Sequence, residues 1–432
     1  MARVRPFAAY RYADVGRDLT ALTAPPYDVI DEPQRAALLA RSPHNAVALE
    51  LPDGALDPKV LGNRYDTGAE TWSDWRTSGI LARDPTPAIY VVEQRFTMEG
   101  RPIRRRAFVT EVALEPFSAG VILPHERTLS KALDDRFELT RATAANFSQV
   151  FGLFDDAAGE TDALFDLITA TAPISHATDS DGVESVLWAT DDQTICSGVT
   201  AILEDKPIFI ADGHHRYGTA LAYRDLRRSL ALERGESPTD PAYDFVMMAL
   251  VNMEDPELVV LPTHRVADSK GEFDSAAFHD GLERYFSVTD VQAGTVSDSL
   301  EGIDGPAFVV KTEADASPRL VRLRSEIDLD RAVSAPRSEA WKRLDVAVLQ
   351  ELVLDPLLGI HPDRPESLSR LLFVKDADDA MALTPEHDVA FILKATRVQQ
   401  LREVALAGET MPQKSTYFYP KFLSGLLFRS AE

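Results

Sequence analysis

Apolar runs of strand length alternate with helically spaced apolar positions through the middle of this chain. Pro207-Ile208-Phe209-Ile210-Ala211 is a short apolar run suited to a strand buried on both faces. It stops at Asp212-Gly213. From His214 onward Ala220, Leu221, Tyr223 and Leu226 form an apolar stripe at helical spacing, with Arg224, Arg227 and Arg228 on the other side and toward the C-terminal end. A helix is expected to start near His214. Around this unit, helical and strand patterns alternate over 132–145, 148–154, 160–169, 194–204 and 245–252, which favours a mixed α/β core.

The flanks read differently. Prolines in Arg5-Pro6-Phe7 and Ala24-Pro25-Pro26-Tyr27-Asp28 disfavour helix and predict irregular entry structure. The β-rich stretch 88–92 pairs with Arg105, Ala107 and Val109 across Glu99-Gly100, a predicted hairpin. Beyond 291 the pattern predicts strands at 307–311, 320–323, 371–375 and 389–394, one long helix over 338–354, and a helix near 398–407. The expected organisation is an irregular and β-rich N-terminal region (1–115), an α/β core (116–290) and a C-terminal α+β region (291–432). No internal repeat or low-complexity linker separates them.

Composition narrows the class. Of 432 residues, 45% are hydrophobic and 26% charged, ordinary globular usage that argues against wholesale disorder. The formal charge of −24 opposes general nucleic-acid binding, so a polyanion needs a local basic pocket. The N-terminus lacks an apolar signal core, and no run of 18 apolar residues offers a membrane span, so a cytoplasmic location without membrane attachment is expected. Cys196 is the single cysteine, which rules out an intrachain disulfide, a dithiol pair and a Cys-rich zinc site.

The strand-to-helix turn is the strongest candidate for chemistry. A helix N-terminus has free N–H groups and a partial positive charge, which suit phosphate or carboxylate. Arg216 adds a planar, permanently charged fork. Asp212 has four possible roles: capping the helix, orienting a histidine, binding Mg2+, or accepting a proton from a hydroxyl. The bland alternative makes Asp212 only an N-cap and leaves His214 and His215 bonded to nearby backbone.

Asp212-Gly213-His214-His215-Arg216-Tyr217, with Ala220 following, resembles the signature of the ParB/sulfiredoxin-like superfamily, in particular the branch containing free-serine kinases. Arg5-Pro6-Phe7, Pro25-Pro26-Tyr27-Asp28, Leu123-Pro124-His125-Glu126 and Met411-Pro412-Gln413-Lys414-Ser415-Thr416 together resemble an uncharacterised prokaryotic conserved-protein family, a domain of unknown function, across nearly the whole chain. The superfamily resemblance implies a ParB/sulfiredoxin-like nucleotide-binding core with large insertions and a C-terminal α+β region. It implies a nucleotide at the turn, with Gly213, His215 and Arg216 matching the family's Gly, His and Arg. His214 stands where sulfiredoxins carry their reactive Cys, so that reaction is not expected. Tyr27-Asp28 lies much farther upstream than the companion motifs of ParB-like proteins, which leaves open which segment completes the pocket.

Other motifs carry weaker signals. His125 and Glu126 form an adjacent acid/base or metal-ligand pair without His-Glu-x-x-His spacing, and the bland reading is a helix capped by Thr128 or Ser130 with solvated charges beyond. Lys414 and Lys421, two of the ten lysines, flank Ser415 and Thr416 and suit phosphate, although the glycines of a P-loop are absent. The alternative there is an edge strand with exposed lysines and buried Tyr417 and Tyr419. Asp28 is either a base or a turn-capping carboxylate. Pro262-Thr263-His264-Arg265 repeats a His-Arg pair after a strand-like run, a weak signal, and Arg104-Arg105-Arg106 reads most simply as a solvated edge.

The leading expectation is a nucleotide-dependent phosphotransferase acting on a small hydroxylated metabolite such as free serine. Gly213, His215, Arg216, Lys414, Ser415, Thr416 and Lys421 would hold ATP, ADP or CTP with Mg2+, and Asp28, Glu126, Asp212 and His214 would supply the catalytic groups. The alternatives are a non-catalytic nucleotide sensor and a metal-dependent hydrolase built on His125, Glu126, His214 and His215.

Overall fold

The computed structural model describes residues 2–432 apart from 14–17, 127–129, 205 and 334–335, and it leaves the side chains of 130–132, 293 and 365 undescribed. The chain has a mixed α/β fold and divides into two compact units. One comprises Met1–Pro124, Thr128–Leu258 and Pro420–Glu432, and the other His125–Arg127 and Val259–Tyr419.

The first unit is built on a nine-stranded mixed sheet. Its strands are β1 (Val4–Arg5), β2 (Ile89–Met98), β3 (Arg101–Ala113), β4 (Ile122–Leu123), β5 (Val150–Phe154), β6 (Ser175–Thr178), β7 (Glu184–Thr190), β8 (Ile208–Asp212) and β9 (Phe245–Asn252). They run in the order β4-β8-β5-β9-β3-β2-β7-β6, with β1 added to β3. The predicted hairpin is β2–β3, with Tyr90 opposite Val109. Its two turn residues, Glu99 and Gly100, both have positive φ, the geometry that matches the right-handed twist of the flanking strands.

Period-two alternation divides β3 between two environments. Phe108 and Val112 face an apolar core shared with Ile89, Val91, Ile208 and Ile210. The helices Glu160–Thr169 and Gln193–Glu204 cover that face through Phe165, Ile168, Val199 and Leu203, and Phe165 stacks on Phe108 at 3.9 Å. Burying each such side chain contributes roughly 1.5–3 kcal/mol. On the opposite face lie Arg105, Val109 and Glu111, with the C-terminal segment: Arg105 sits over Phe422, and Glu111 accepts from Arg429. The expectation of a solvated Arg104–Arg106 edge holds for Arg104, which is exposed where β3 pairs with β2 alone, and is corrected for Arg105, which is only 1% exposed because its position shares the phase of Ala107 and Val109. Arg106, on the other face, pairs with Asp162 and Asp166.

The second unit has a six-stranded sheet of β10 (His264–Ala267), β11 (Phe286–Asp290), β12 (Ala307–Thr312), β13 (Arg319–Leu323), β14 (Leu371–Val374) and β15 (Val389–Leu393), ordered β11-β13-β12-β15-β10-β14. The long helix expected over 338–354 is broken. Glu339–Lys342 ends, Leu344 is extended, and a new helix starts at Asp345, whose carboxylate accepts the N–H of Ala307 at 3.0 Å. A π-helical stretch, Gln350–Leu354, follows, with the Gln350 amide donating to the Ile360 carbonyl. Both side chains are drawn to backbone groups outside the helix, which continuous apolar spacing cannot reveal. Among the described residues no helix is long and apolar enough to cross a membrane.

Candidate functional site

The site begins with a slip in strand register. Phe209 lies opposite Leu153 and Ile210 opposite Gly152, but Asp212 lies opposite Phe151, so Ala211 is an extra residue in β8. Ile208 and Ile210 point into the apolar core. By strict alternation Asp212 would follow them. The bulge instead turns its carboxylate toward the face that carries Phe151, Arg105 and the C-terminal segment.

Gly213 then turns the chain into the 20-residue helix His214–Glu233. Its φ of +87° lies in the left-handed region, and a Cβ added there would come within 2.8 Å of Arg216 Nε. Glycine is thus required twice, for the backbone and for the guanidinium folded over it. Gly213 is also the N-cap residue, and no side chain caps this helix, so the N-cap role considered for Asp212 is not the one it plays.

Asp212 accepts from two cations, one at each oxygen: Arg216 at Oδ2 and Lys421 at Oδ1. Arg216 also donates to the Gln149 carbonyl. Burial opposes ionisation of Asp212, but Lys421 and Arg216 outweigh it and hold the carboxyl well below its usual range. Arg216 is itself raised: burial works against its charge, while Asp212, then Asp28, Tyr27 and Glu50, favour it.

A third cation stands behind this pair. Arg105 donates to the Gln94 side chain and the Pro420 carbonyl and lies against the mutually touching rings of Phe151 and Phe422, 4.9 and 4.8 Å away. Burial pushes its pKa down to about 9, only partly opposed by Asp255 and Asp212. Its phase with Ala107 and Val109 was the sequence signal that could have marked it.

The C-terminal segment ties the turn to the N-terminal one. Beyond Lys421, Ser424 pairs with Ala24 through backbone hydrogen bonds, and its hydroxyl donates to Glu50 at 3.0 Å. Ala24 leads into the short 3-10 helix Tyr27–Val29, on which Asp28 is exposed. The Tyr27 ring lies 4.3 Å from the Arg136 guanidinium, and burial pushes its phenol up to about 12. Tyr27, Glu50, Arg136, Ser148, Arg216 and Thr219 line a cavity of about 40 Å3. Thr219 is 3% exposed, and its hydroxyl has no hydrogen-bond partner among the described residues.

The first unit therefore contains Asp28, Asp212, Gly213, His214, His215, Arg216 and Lys421. His214 is buried and His215 half-buried. Glu126, Lys414, Ser415 and Thr416 belong to the second unit. There Thr416 Oγ1 bonds His125 Nε2 at 2.8 Å, Ser415 donates to the Pro412 carbonyl, and Lys414 is an exposed turn residue with φ of +54°. Tyr417–Tyr419 pairs with Val259–Leu261, with Phe418 buried and the two tyrosines half-buried. The caps considered at Thr128 and Ser130 lie outside the described residues and side chains. Among the described residues no three His, Cys, Asp or Glu side chains cluster as ligands for a metal ion. Sequence reasoning missed Arg105, Arg136, Glu50 and Thr219.

A family model described as a protein of unknown function (DUF1015) matches residues 4–347. No curated protein matches the chain significantly. Solved structures similar to it include a conserved hypothetical protein from Pyrococcus furiosus, at 13% identity, covering 73% of this chain and 91% of that one with a TM-score of 0.34. A free serine kinase mutant in complex with ADP aligns at 11% identity, over 73% and 88% of the two chains, with a TM-score of 0.35. SbnI with a C-terminal truncation, from Staphylococcus aureus, aligns at 12%, over 73% and 85%, with a TM-score of 0.34.

Proposed function

The chain belongs to the DUF1015 family of proteins of unknown function, and we propose that it binds nucleotide phosphates at the turn 212–216 and transfers a phosphoryl group to a small hydroxylated metabolite, free serine among them. One observation carries this reading. One half-buried carboxylate, Asp212, meets two contacting cations with a third in its field, at the N-terminus of a 20-residue helix. Asp28, Glu50 and Asp255 act on the same cations, and their grouping at a helix N-terminus in a poorly solvated place suits an anion that competes for Arg216 and Lys421.

Each residue has a definable task. Gly213 lets the ligand approach the free N–H groups of the first helical turn, and Arg216 presents its fork there. Asp212 fixes Arg216 and Lys421 in place. Its carboxyl is too strong an acid, and too fully engaged, to take a hydroxyl proton, so its role is positioning. In this scheme half-buried His215 would donate to phosphate, and buried His214 would add to the positive field at Asp212. Asp28 is exposed and contributes to the field at Arg216, which makes it the proton acceptor of this scheme. ATP, ADP or CTP is the nucleotide. Mg2+ would be brought in on the nucleotide and would supply charge neutralisation, since among the described residues no three His, Cys, Asp or Glu side chains cluster to hold a metal ion by themselves. All of these residues belong to the first unit, and a cytoplasmic location goes with this proposed chemistry.

Titration of the full chain with ATP, ADP and CTP tests binding, and transfer of labelled phosphate to a panel of small hydroxyl compounds tests catalysis. Binding of at least one nucleotide, weakened in Arg216→Ala, is expected, with transfer abolished in Asp28→Asn while binding persists. No binding, or binding indifferent to Arg216, refutes the site. Binding without transfer to any acceptor makes the protein a nucleotide sensor instead.

A further inference from the structure

The second unit contains a much larger cavity, about 1120 Å3, lined entirely by its own residues. It opens at one end of the strands of the six-stranded sheet, where β10 begins at His264, β12 begins at Ala307 and β15 ends at Leu393. Antiparallel pairing brings these three strand termini together at that end.

His264 is the key side chain. It is 3% exposed yet lines the cavity, and its Nδ1 accepts the N–H of Leu393 at 3.2 Å. Burial, helped by the adjacent Arg265 charge, pushes its pKa down to about 4, so the ring is neutral near pH 7. With Nδ1 accepting, the ring proton is on Nε2. That N–H makes no hydrogen bond to the described residues and is not among the fully buried unpaired polar atoms, so it is open to the solvent of the cavity that His264 lines, where a ligand can accept from it.

The same cavity is lined by a carboxylate with a loose partner. Asp345 accepts the Ala307 N–H at Oδ1, and its Oδ2 is 3.5 Å from Lys394 Nζ. Lys394 is shared, since it also donates to the carbonyl of Gly305 at 2.8 Å and of Ile303 at 3.3 Å. Arg397 and Gln400, at the start of the helix Val398–Leu406, also line the cavity, as do the exposed acids Glu301 and Asp304. Donors and acceptors of both charges therefore face one space. Acids at the rim make it a poor seat for polyphosphate.

We propose that this cavity binds a small zwitterion of the free amino-acid class, its ammonium on Asp345 and its carboxylate on His264 Nε2–H, Lys394 and Arg397. The volume leaves room for a side chain. Nothing in this assignment depends on nucleotide binding by the first unit.

The test is calorimetric titration of the full chain with the common free amino acids, together with their decarboxylated amines and deaminated acids. At least one amino acid should bind, and each of its two truncated analogues should bind at least about tenfold more weakly. His264→Asn keeps an acceptor for Leu393 and removes the Nε2 donor, Asp345→Asn keeps an acceptor for Ala307 and removes the charge, and Arg397→Ala alters an exposed residue. Each should weaken binding about tenfold while thermal melting stays cooperative and nucleotide titration of the same samples is unchanged. The proposal is overturned if no amino acid binds, if an amine or acid alone binds as well, or if Arg397→Ala and the folded members of the other two variants bind like wild type.

Discussion

Asp212 and Asp345 are two poorly exposed carboxylates, equally accessible at 15% of the side chain, yet they are shifted in opposite directions. Asp212 touches Lys421 and Arg216, one cation per oxygen, and is held below the ordinary range. Asp345 has one N–H and one shared lysine 3.5 Å away, and burial pushes it up to about 6. Burial alone therefore does not decide charge. The number and closeness of cations do, and they turn one carboxylate into a fixed anchor and the other into a weakly matched acceptor.

The harshest way to break this contrast is Asp212→Ala. It removes the carboxylate that half-buried Arg216 and Lys421 both contact and should cost about 3 kcal/mol, read by denaturant unfolding. Equal stability of mutant and wild type would mean that the ion pair does not hold the turn. Next comes Gly213→Ala, in which left-handed strain and the contact with Arg216 should together cost about 2 kcal/mol, by the same measurement. Nucleotide binding should fall with it.

Asp345→Asn sharpens the comparison with a smaller effect of opposite sign. The folded-state pKa of Asp345 is raised, so the folded chain binds this proton more tightly, and the group's contribution to stability is lost as pH rises through about 4 to 6. The variant should match wild type near pH 4 and exceed it by about 1 kcal/mol near pH 8. For Asp212, with a depressed pKa, the contribution is present above the ordinary carboxylate range and is lost as pH falls through the folded value. Thermal melts of wild type, Asp345→Asn and Asp212→Asn across pH should therefore slope oppositely, and parallel curves would contradict the assignment. The smallest effect belongs to Thr219→Val, which removes a buried hydroxyl that has no partner among the described residues and should stabilise the unliganded protein by about 0.5 kcal/mol. A loss of stability would show that the hydroxyl is satisfied, for instance by water in the adjacent cavity.

Local features were readable where local physics controls them. The hairpin around Glu99-Gly100, the strand ending at Asp212 and the helix starting at His214 lie where period and turn chemistry predict. The reading failed where a side chain answers to a distant partner. Arg105 was read as solvated because its neighbours in sequence are charged, but its neighbours in space are Phe151, Phe422 and the Pro420 carbonyl. The helix expected over 338–354 breaks at the extended Leu344, next to Asp345, whose carboxylate accepts the first N–H of β12. Lys414 and Lys421 looked like a pair, yet they belong to different units.

What the sequence determined by itself is the turn: an apolar strand, a glycine that alone tolerates the left-handed bend, and a helix with Arg216 on its first turn. Tertiary structure decided which way Asp212 points, because the one-residue bulge at Ala211 depends on pairing with β5. It also decided that Asp212 meets Lys421, 209 residues away, and that the segment at Tyr27 follows Ser424 to the same place. Backbone preference acts over a few residues and is written in them. Charge pairing in a buried space depends on closing loops of hundreds of residues, and no local pattern records which ends will meet.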